Sequence, residues 1–474
     1  MSDRGVVTAP ESAVFVRELD RAYPLIVRGD GVWLHDAAGT KYLDAVSGGA
    51  MVTSLGHGPV PSILNAARSQ AEQISFVYNV HVTSPAQEQL ARDILEIAPP
   101  GFTRVHFVSG GTEANELALR MVRSYHVERG NPKRHLVVSP AQAYHGASIA
   151  TFGLTGRSGL QDPYQPYIQQ QPHIPPCTWA FDPSGEEALL ALDRVLDEVG
   201  DQVAAFLIEP VSAASLPGYS PPDAFWRGLE ERRRRHGFLV WFDEVVTGLG
   251  RTGSWFAADQ MPITPDVITT AKGLGAGFIP VGAMLVQDHV YQAVANGSRS
   301  FEPGHTWDGA PVSCAVGSAV IAHLKKTGLI DSVRERGPWL RNEIERALDG
   351  CEMVREVRGR GFLLGVSYVD PTDGESFLDP SLRVARRIDM GALERQLLIY
   401  STQPTADGYA GDQTLLAPAF VASDVELEEI VDRLAQTVRA VEAQVKGVLV
   451  GASRGSSSLT SDATAVTRSA GPRD

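Results

Sequence analysis

Cysteine is scarce: the chain of 474 residues has 3, Cys177, Cys314 and Cys351, scattered along its length. An odd, widely spaced set builds no disulfide framework and shows no metal-ligand spacing, which fits a reducing cytoplasm. Long apolar runs are missing as well. None approaches the roughly 20 residues that a membrane-spanning helix needs, and the N-terminal MSDRGVVTAPESAVF lacks the apolar core of a signal peptide. We therefore expect a soluble, cytoplasmic chain with no membrane partner. Basic charge is in the minority, 42 Lys and Arg against 56 Asp and Glu, for a net charge of −14. That disfavours nucleic acid as the main partner, because phosphate backbones bind cationic surfaces. The one basic cluster, ERRRRH (231–236), follows Glu230 and reads as the solvated end of a helix.

What the chain does have is alternation. Between Thr103 and Val286 six short apolar runs recur: RVHFV (104–108), HLVVS (135–139), AAFLIE (204–209), FLVWFD (238–243), DVITTA (266–271) and VGAMLV (281–286). Runs that are apolar at successive positions suit strands covered on both faces. Helical patterns lie between them, such as 115–130 and 186–200, so the expected fold class is α/β with a mainly parallel sheet flanked by helices. The ends differ in texture. VWLHDAAGTKYLDAVSG (32–48) reads as a hairpin, and VELEEIVDRLAQTVRAVEAQV (425–445) as an amphipathic helix. We divide the chain into 1–65 and 331–446, which together build a smaller α+β domain, a large domain over 66–330, and a Ser/Gly/Thr-rich tail, 447–474, expected to be disordered.

The stretch FDEVVTGLGRTG (242–253) contains a G-x-G-x-x-G in Gly248, Gly250 and Gly253. A dinucleotide turn places its first glycine directly at the strand end and leads into a helix. Here DEVVT intervenes, SWFAADQMP follows, and no acid stands about 20 residues on, where a ribose contact is expected. The glycines read instead as turn residues.

The acids before them are the better lead. Asp243 ends an otherwise apolar strand, where a carboxylate is costly unless paired. It either caps or pairs structurally, or meets a cationic ligand at the sheet's open edge. A second strand, PDVITTA, runs into KGLGAGFIPVGA and places Lys272 at a strand end too. A buried lysine loses basicity and becomes a nucleophile toward aldehydes. Such a pair suits pyridoxal 5'-phosphate: the lysine forms the covalent link and the aspartate keeps the pyridine nitrogen protonated. A phosphate cradle is available in the turn Ser109-Gly110-Gly111-Thr112 at a helix start, although an ordinary capped helix would look the same.

The set SGGTEANE (109–116), AYHGAS (143–148), IEPV (208–211), FDEVVTGLGRTG, PDVITTAKGLGAGFIPVGA (265–283) and HTWDGAPVSCA (305–315) resembles the class III, or omega, aminotransferases of fold type I. The resemblance runs in order from about Val32 to Leu434. It implies that Lys272 carries the cofactor and shuttles the proton, and that Asp243 binds the pyridine nitrogen. It places Tyr144 and Val245 on the two ring faces, Gly111 and Thr112 at the phosphate, and Glu209 near the ring. Thr306 would reach the phosphate of the neighbouring subunit, so a homodimer with active sites at the interface is implied.

Three departures stand out. Ala310 replaces the histidine or asparagine common before Pro311, Met51 lies where amine-accepting relatives often carry tryptophan, and the stretch 400–420 contains no arginine. Many relatives hold a mobile arginine there for the substrate carboxylate. Arg157, Arg251 or Arg299 could take its place. Met51, Phe76 and Tyr78, near the expected entrance, point to a largely apolar donor or to ordinary packing. The implied reaction is a ping-pong transfer of an amino group from an omega-amino acid or amine to a keto acid such as pyruvate, through pyridoxamine phosphate. The alternatives are an aminomutase or decarboxylating transaminase of the same family and, from another class, a nicotinamide-dependent oxidoreductase.

Overall fold

A computed structural model describes residues 5–402 and 408–459. After a short antiparallel pair, Val6–Val7 with Tyr23–Pro24, three strands follow in antiparallel succession, β1 (Ile26–Asp30), β2 (Trp33–Asp36) and β3 (Lys41–Asp44), the last two being the hairpin expected from 32–48. Helices α1 (Pro61–Gln73) and α2 (Pro85–Ile97) lead into the alternation. It comprises β4 (Phe102–Val108), α3 (Gly111–Glu128), β5 (Leu136–Pro140), β6 (His173–Ile174), α4 (Glu186–Val199), β7 (Val203–Ile208), α5 (Asp223–His236), β8 (Leu239–Asp243), β9 (Val267–Thr270) and β10 (Gly282–Gln287). After it come α6 (Pro311–Thr327), α7 (Leu329–Ala347), β11 (Val354–Arg360), β12 (Leu363–Tyr368), α8 (Val384–Glu394), β13 (Leu397–Leu398), β14 (Tyr400–Thr402), β15 (Gln413–Leu416) and α9 (Asp424–Leu459).

The main sheet has seven strands in the order β4-β10-β9-β8-β7-β5-β6. All neighbours pair in parallel except β10, which runs antiparallel to both β4 and β9. The side chains of β7, β8, β9 and β10 alternate between two covered faces, whereas the edge strand β4 leaves Arg104 exposed. Leu239 and Trp241 of β8 pack on the side of α3, with Leu117 and Val122, whereas Val240 and Phe242 pack toward α4 and α5, with Leu192 and Trp226. By the same alternation Asp243 follows Leu239 and Trp241 onto the α3 side.

The chain's two ends meet in a second sheet, β13-β3-β2-β1, where Leu397 and Leu398 pair in parallel with Leu43 and Asp44. Strands β11-β12-β15-β14 form a third, antiparallel sheet. Of the stretch 447–474 expected to be disordered, α9 continues through Leu459, because adding a residue to an existing helix is far less costly than starting one. Residues 460–474 lie outside the described residues, as do 403–407 of the arginine-free stretch. Among the described residues no helix is long and apolar enough to cross a membrane.

The basic cluster ends α5 and is mostly paired: Arg232 with Asp193, Arg233 with Glu230 and Asp266, Arg234 with Glu230. Nor do the glycines of 248–253 hold a dinucleotide. Gly250 (φ 101°) and Gly253 (φ 87°) sit in turns pressed against Ile330 and the backbone of Arg334, and only a short 3-10 turn at Ala257–Gln260 follows. A Cβ at Gly253 would lie 2.8 Å from the Arg334 Cα. These glycines let a loop of the large sheet touch α7.

Candidate active site

Strand register places three charged residues side by side. In the parallel ladder Asp243 pairs with Thr269, and Phe242 pairs with both Ile268 and Ile208. Glu209, one residue past β7, is therefore beside Asp243, and Lys272 lies three residues beyond Thr269. All three line one cavity of about 1050 Å³ at the carboxyl ends of the strands, the place where ligands of such sheets collect.

Asp243 is almost fully buried and heavily solvated by protein donors. Its Oδ2 accepts from Asn115 Nδ2 (2.8 Å) and pairs with His145 Nδ1 (2.8 Å), and its Oδ1 accepts from the Val245 amide (3.0 Å). Asn115 is itself fixed: it donates to the His145 carbonyl (2.8 Å) and accepts from Thr269 Oγ1 (2.6 Å). Donors on every side make a buried carboxylate tolerable in its charged form. Asn115 and His145 lie inside the motifs SGGTEANE and AYHGAS, yet the sequence reading gave them no role. A buried asparagine one turn into a helix is indistinguishable from a solvated one until the strand beside it is placed.

Burial lowers the Lys272 amine to a pKa of about 8, against a pull in the other direction from Asp243 and Glu209. Its backbone has φ 38°, a conformation that non-glycine residues adopt only when their surroundings enforce it. Burial pushes the Glu209 carboxyl up, while the amides and hydroxyl near it hold it in place: Ala213 N–H donates at 3.2 Å and Ser212 Oγ at 3.1 Å. Glu244, next to Asp243, points elsewhere. It accepts from the amides of Ala257 and Ala258 and from Thr247, and burial raises it to about 7, so it ties down the following loop.

The cavity has room kept open by missing side chains. A Cβ at Gly111 would lie 2.7 Å from Val245 Cγ1, and one at Gly146 (φ 130°) would lie 2.9 Å from Thr112 Oγ1. The first amides of α3 have no partner within the helix, and Ser109, Gly110, Gly111 and Thr112 line the cavity beside them. A glycine-lined helix start, a fully donated carboxylate and a weakly basic amine around one space fit a flat cationic ring bearing a phosphate.

The structure thus brings Lys272, Asp243, Gly111, Thr112, Tyr144, Glu209, Val245 and Met51 to one cavity. Tyr78 and Thr306 do not line it. Phe76 and Tyr78 are exposed, and the Phe76 ring stacks edge-on against Trp307 at 5.3 Å, beside the exposed Thr306. The reason is local: residues 74–82 leave α1 along the outer surface, on the same patch as the 305–307 turn. Of the three arginines, only Arg157 lines the cavity. Arg251 is buried, donating to the carbonyls of Phe362 (3.1 Å) and Pro418 (2.6 Å) and to Ser47 Oγ (3.1 Å). Arg299 lines a separate cavity of about 380 Å³.

Sheet order, the single antiparallel strand and the polar strand ends define a fold type I transferase. The chain belongs to the class III aminotransferases: the family model Aminotransferase class-III matches residues 15–438. Members of this family use pyridoxal phosphate. The chain is 32% identical over 436 residues to the uncharacterized aminotransferase YodT of Bacillus subtilis (strain 168), covering 90% of this chain and 98% of that protein. It is 30% identical over 419 residues to the putrescine–pyruvate aminotransferase of Pseudomonas aeruginosa, covering 86% and 88%. Among solved structures, a thermostable (S)-enantioselective omega-transaminase from Thermomicrobium roseum superposes with a TM-score of 0.81 at 30% identity, over 88% of this chain and 92% of that one.

Proposed function

We propose that this enzyme moves an amino group from an omega-amino acid or amine to a keto acid such as pyruvate, in two half-reactions at the cavity of Lys272. The observation that carries the reading is the placement of Lys272, Asp243 and Glu209 on three adjacent strand ends around one space. The kinship with a putrescine–pyruvate aminotransferase and an omega-transaminase supports the choice of donor and acceptor. Pyridoxal phosphate, when bound, supplies an aldehyde that receives the amino group and a ring that accepts the electrons released from the substrate carbon.

The protein does the rest. Asp243, which accepts from Asn115 and the Val245 amide and pairs with His145, would hold the protonated ring nitrogen. Lys272 would hold the cofactor through its amine. Its amine would also be the group that moves the proton at the substrate carbon. Val245 and Tyr144 would flank the ring, Gly111 and Thr112 would hold the phosphate, and Glu209 would order the polar groups beside the ring.

Thr306 is exposed next to an apolar patch, and we assign it to the phosphate of a second copy, in a homodimer with interfacial active sites. The enzyme is assigned to the cytoplasm, since its cysteines are unpaired. Loss of Lys272 removes both link and proton carrier. Lys272→Ala should lower kcat by several orders of magnitude and abolish the borohydride-sensitive yellow absorbance. A Lys272→Ala enzyme turning over near the wild-type rate refutes the assignment.

A further inference from the structure

With no arginine anywhere in 400–420, the carboxylate of a keto acid needs another receiver. Four arginines line the cavity, Arg17, Arg21, Arg157 and Arg386. Two of them are already engaged. Arg386 donates to Glu18 at 2.8 Å, and Arg21 faces the same carboxylate at 3.8 Å while lying over the Tyr23 ring. Arg17 is exposed to solvent. Arg157 alone is half-buried with a guanidinium that makes no hydrogen bond or ion pair among the described residues.

Its position is built rather than incidental. The Gly156 amide donates to the Ala143 carbonyl (3.1 Å), and the Gln142 amide donates to the Gly156 carbonyl (2.7 Å). The two segments approach so closely that a Cβ at Gly156 would lie 2.5 Å from the Pro140 carbonyl oxygen and 2.7 Å from the Ala141 Cα. The residue after Gly156 is therefore pinned to the segment that ends in Tyr144, on a wall of the cavity. Tyr144 and Arg157 both line the cavity there. A half-buried cation without a partner is an uncompensated cost unless a ligand completes it.

We propose that Arg157 is the receiver of the substrate carboxylate, gripping the keto acid acceptor by its planar fork on the Tyr144 side of the cavity. The inference rests on the transaminase reading given above. A guanidinium meets a carboxylate through two parallel hydrogen bonds, which a lysine cannot reproduce. Removing such a charge-assisted contact costs roughly tenfold to hundredfold in affinity.

The test compares pyruvate with an acceptor aldehyde that lacks a carboxylate, using wild-type holoenzyme and the Arg157→Gln, Arg157→Lys and Arg17→Gln variants. In Arg157→Gln the ratio of kcat/KM for pyruvate to that for the aldehyde should fall at least tenfold, mainly through KM for pyruvate. Arg157→Lys should recover part of it, and Arg17→Gln should leave the ratio within about twofold of wild type. Because it is a ratio, general damage to folding or cofactor loading cancels. A fall that is equal for both acceptors, or one carried by Arg17→Gln instead, overturns the proposal. A wild-type enzyme that aminates neither acceptor overturns the transaminase reading itself, so the two failures are distinct.

Discussion

Lys272 is a residue whose usefulness to chemistry works against the fold that holds it. Burial takes its amine from 10.5 down to about 8. At pH 7 it is protonated in both folded and unfolded chains, so the folded cofactor-free protein carries the cost of that burial. At about 1.4 kcal/mol per pH unit the cost is at most about 3.5 kcal/mol, less what water in the open cavity recovers. The sign follows from a folded value below the unfolded one: the cost is present below about 8 and is relieved as pH rises from there to 10.5. Lys272→Met should therefore stabilise the cofactor-free protein at pH 7, and its advantage in denaturant unfolding should shrink between pH 8 and 10. A less stable variant, or a gap indifferent to pH, contradicts this account. The positions of Lys272 and Asp243 were legible because each is a single charge closing an apolar run. Asn115 and His145 were not, since their meaning lies in distances to Asp243 across three separate elements.

Elements carry the next level of specification. The strand runs were readable to within a residue or two, because most are covered on both faces and stay apolar; the edge strand β4, with Arg104 exposed, was still marked by its valines and Phe107. Direction was not readable: nothing in VGAMLV reveals that β10 runs against its neighbours. That reversal places Gly282, the first residue of β10, against the turn before α3. A Cβ there would lie 2.6 Å from the Gly110 carbonyl oxygen and 2.8 Å from its carbon, both backbone atoms that can move only with the turn. Gly282→Ala should thus displace the Ser109–Thr112 cradle without touching the cavity's chemistry. We expect a stability loss of about 1–3 kcal/mol, typical of overpacking, and at least a tenfold weaker pyridoxal phosphate affinity by absorbance titration. An unchanged affinity would show that the cradle does not depend on this contact. The helix read from the pattern 115–130, with its start at the Ser109–Thr112 turn, begins at Gly111, with Gly110 as its extended N-cap.

At the scale of the whole molecule the cavity depends on contacts that no local pattern announces. Arg251, singled out as a substrate candidate, instead joins the loop after β8 to Ser47 near the N-terminus and to Phe362 and Pro418 from the C-terminal third. Its guanidinium also stacks 4.7 Å from the Phe420 ring, and burial lowers it to about 9. A buried cation satisfied by three distant segments reads in sequence like any other arginine. The outer surface raises the complementary question of what covers it. Trp307 is 58% exposed and Phe76 39%, their rings in contact, with Tyr78, Val80 and Val82 exposed close by in sequence. Under the dimer reading this aromatic surface is the face that a second copy covers, and Thr306 stands at its edge, outside its own chain's cavity. If a second copy covers the patch, Trp307→Asp places an unpaired charge where two surfaces must shed water, and the dimer should fail. Light scattering should then give one chain of 51.0 kDa where the wild type gives two. Activity should fall with the mass, because each cavity loses the Thr306 contact supplied across the interface, and high protein concentration should restore part of both. A wild-type chain that is monomeric and fully active at nanomolar concentration would remove Thr306 from the phosphate site and leave each cavity to work alone.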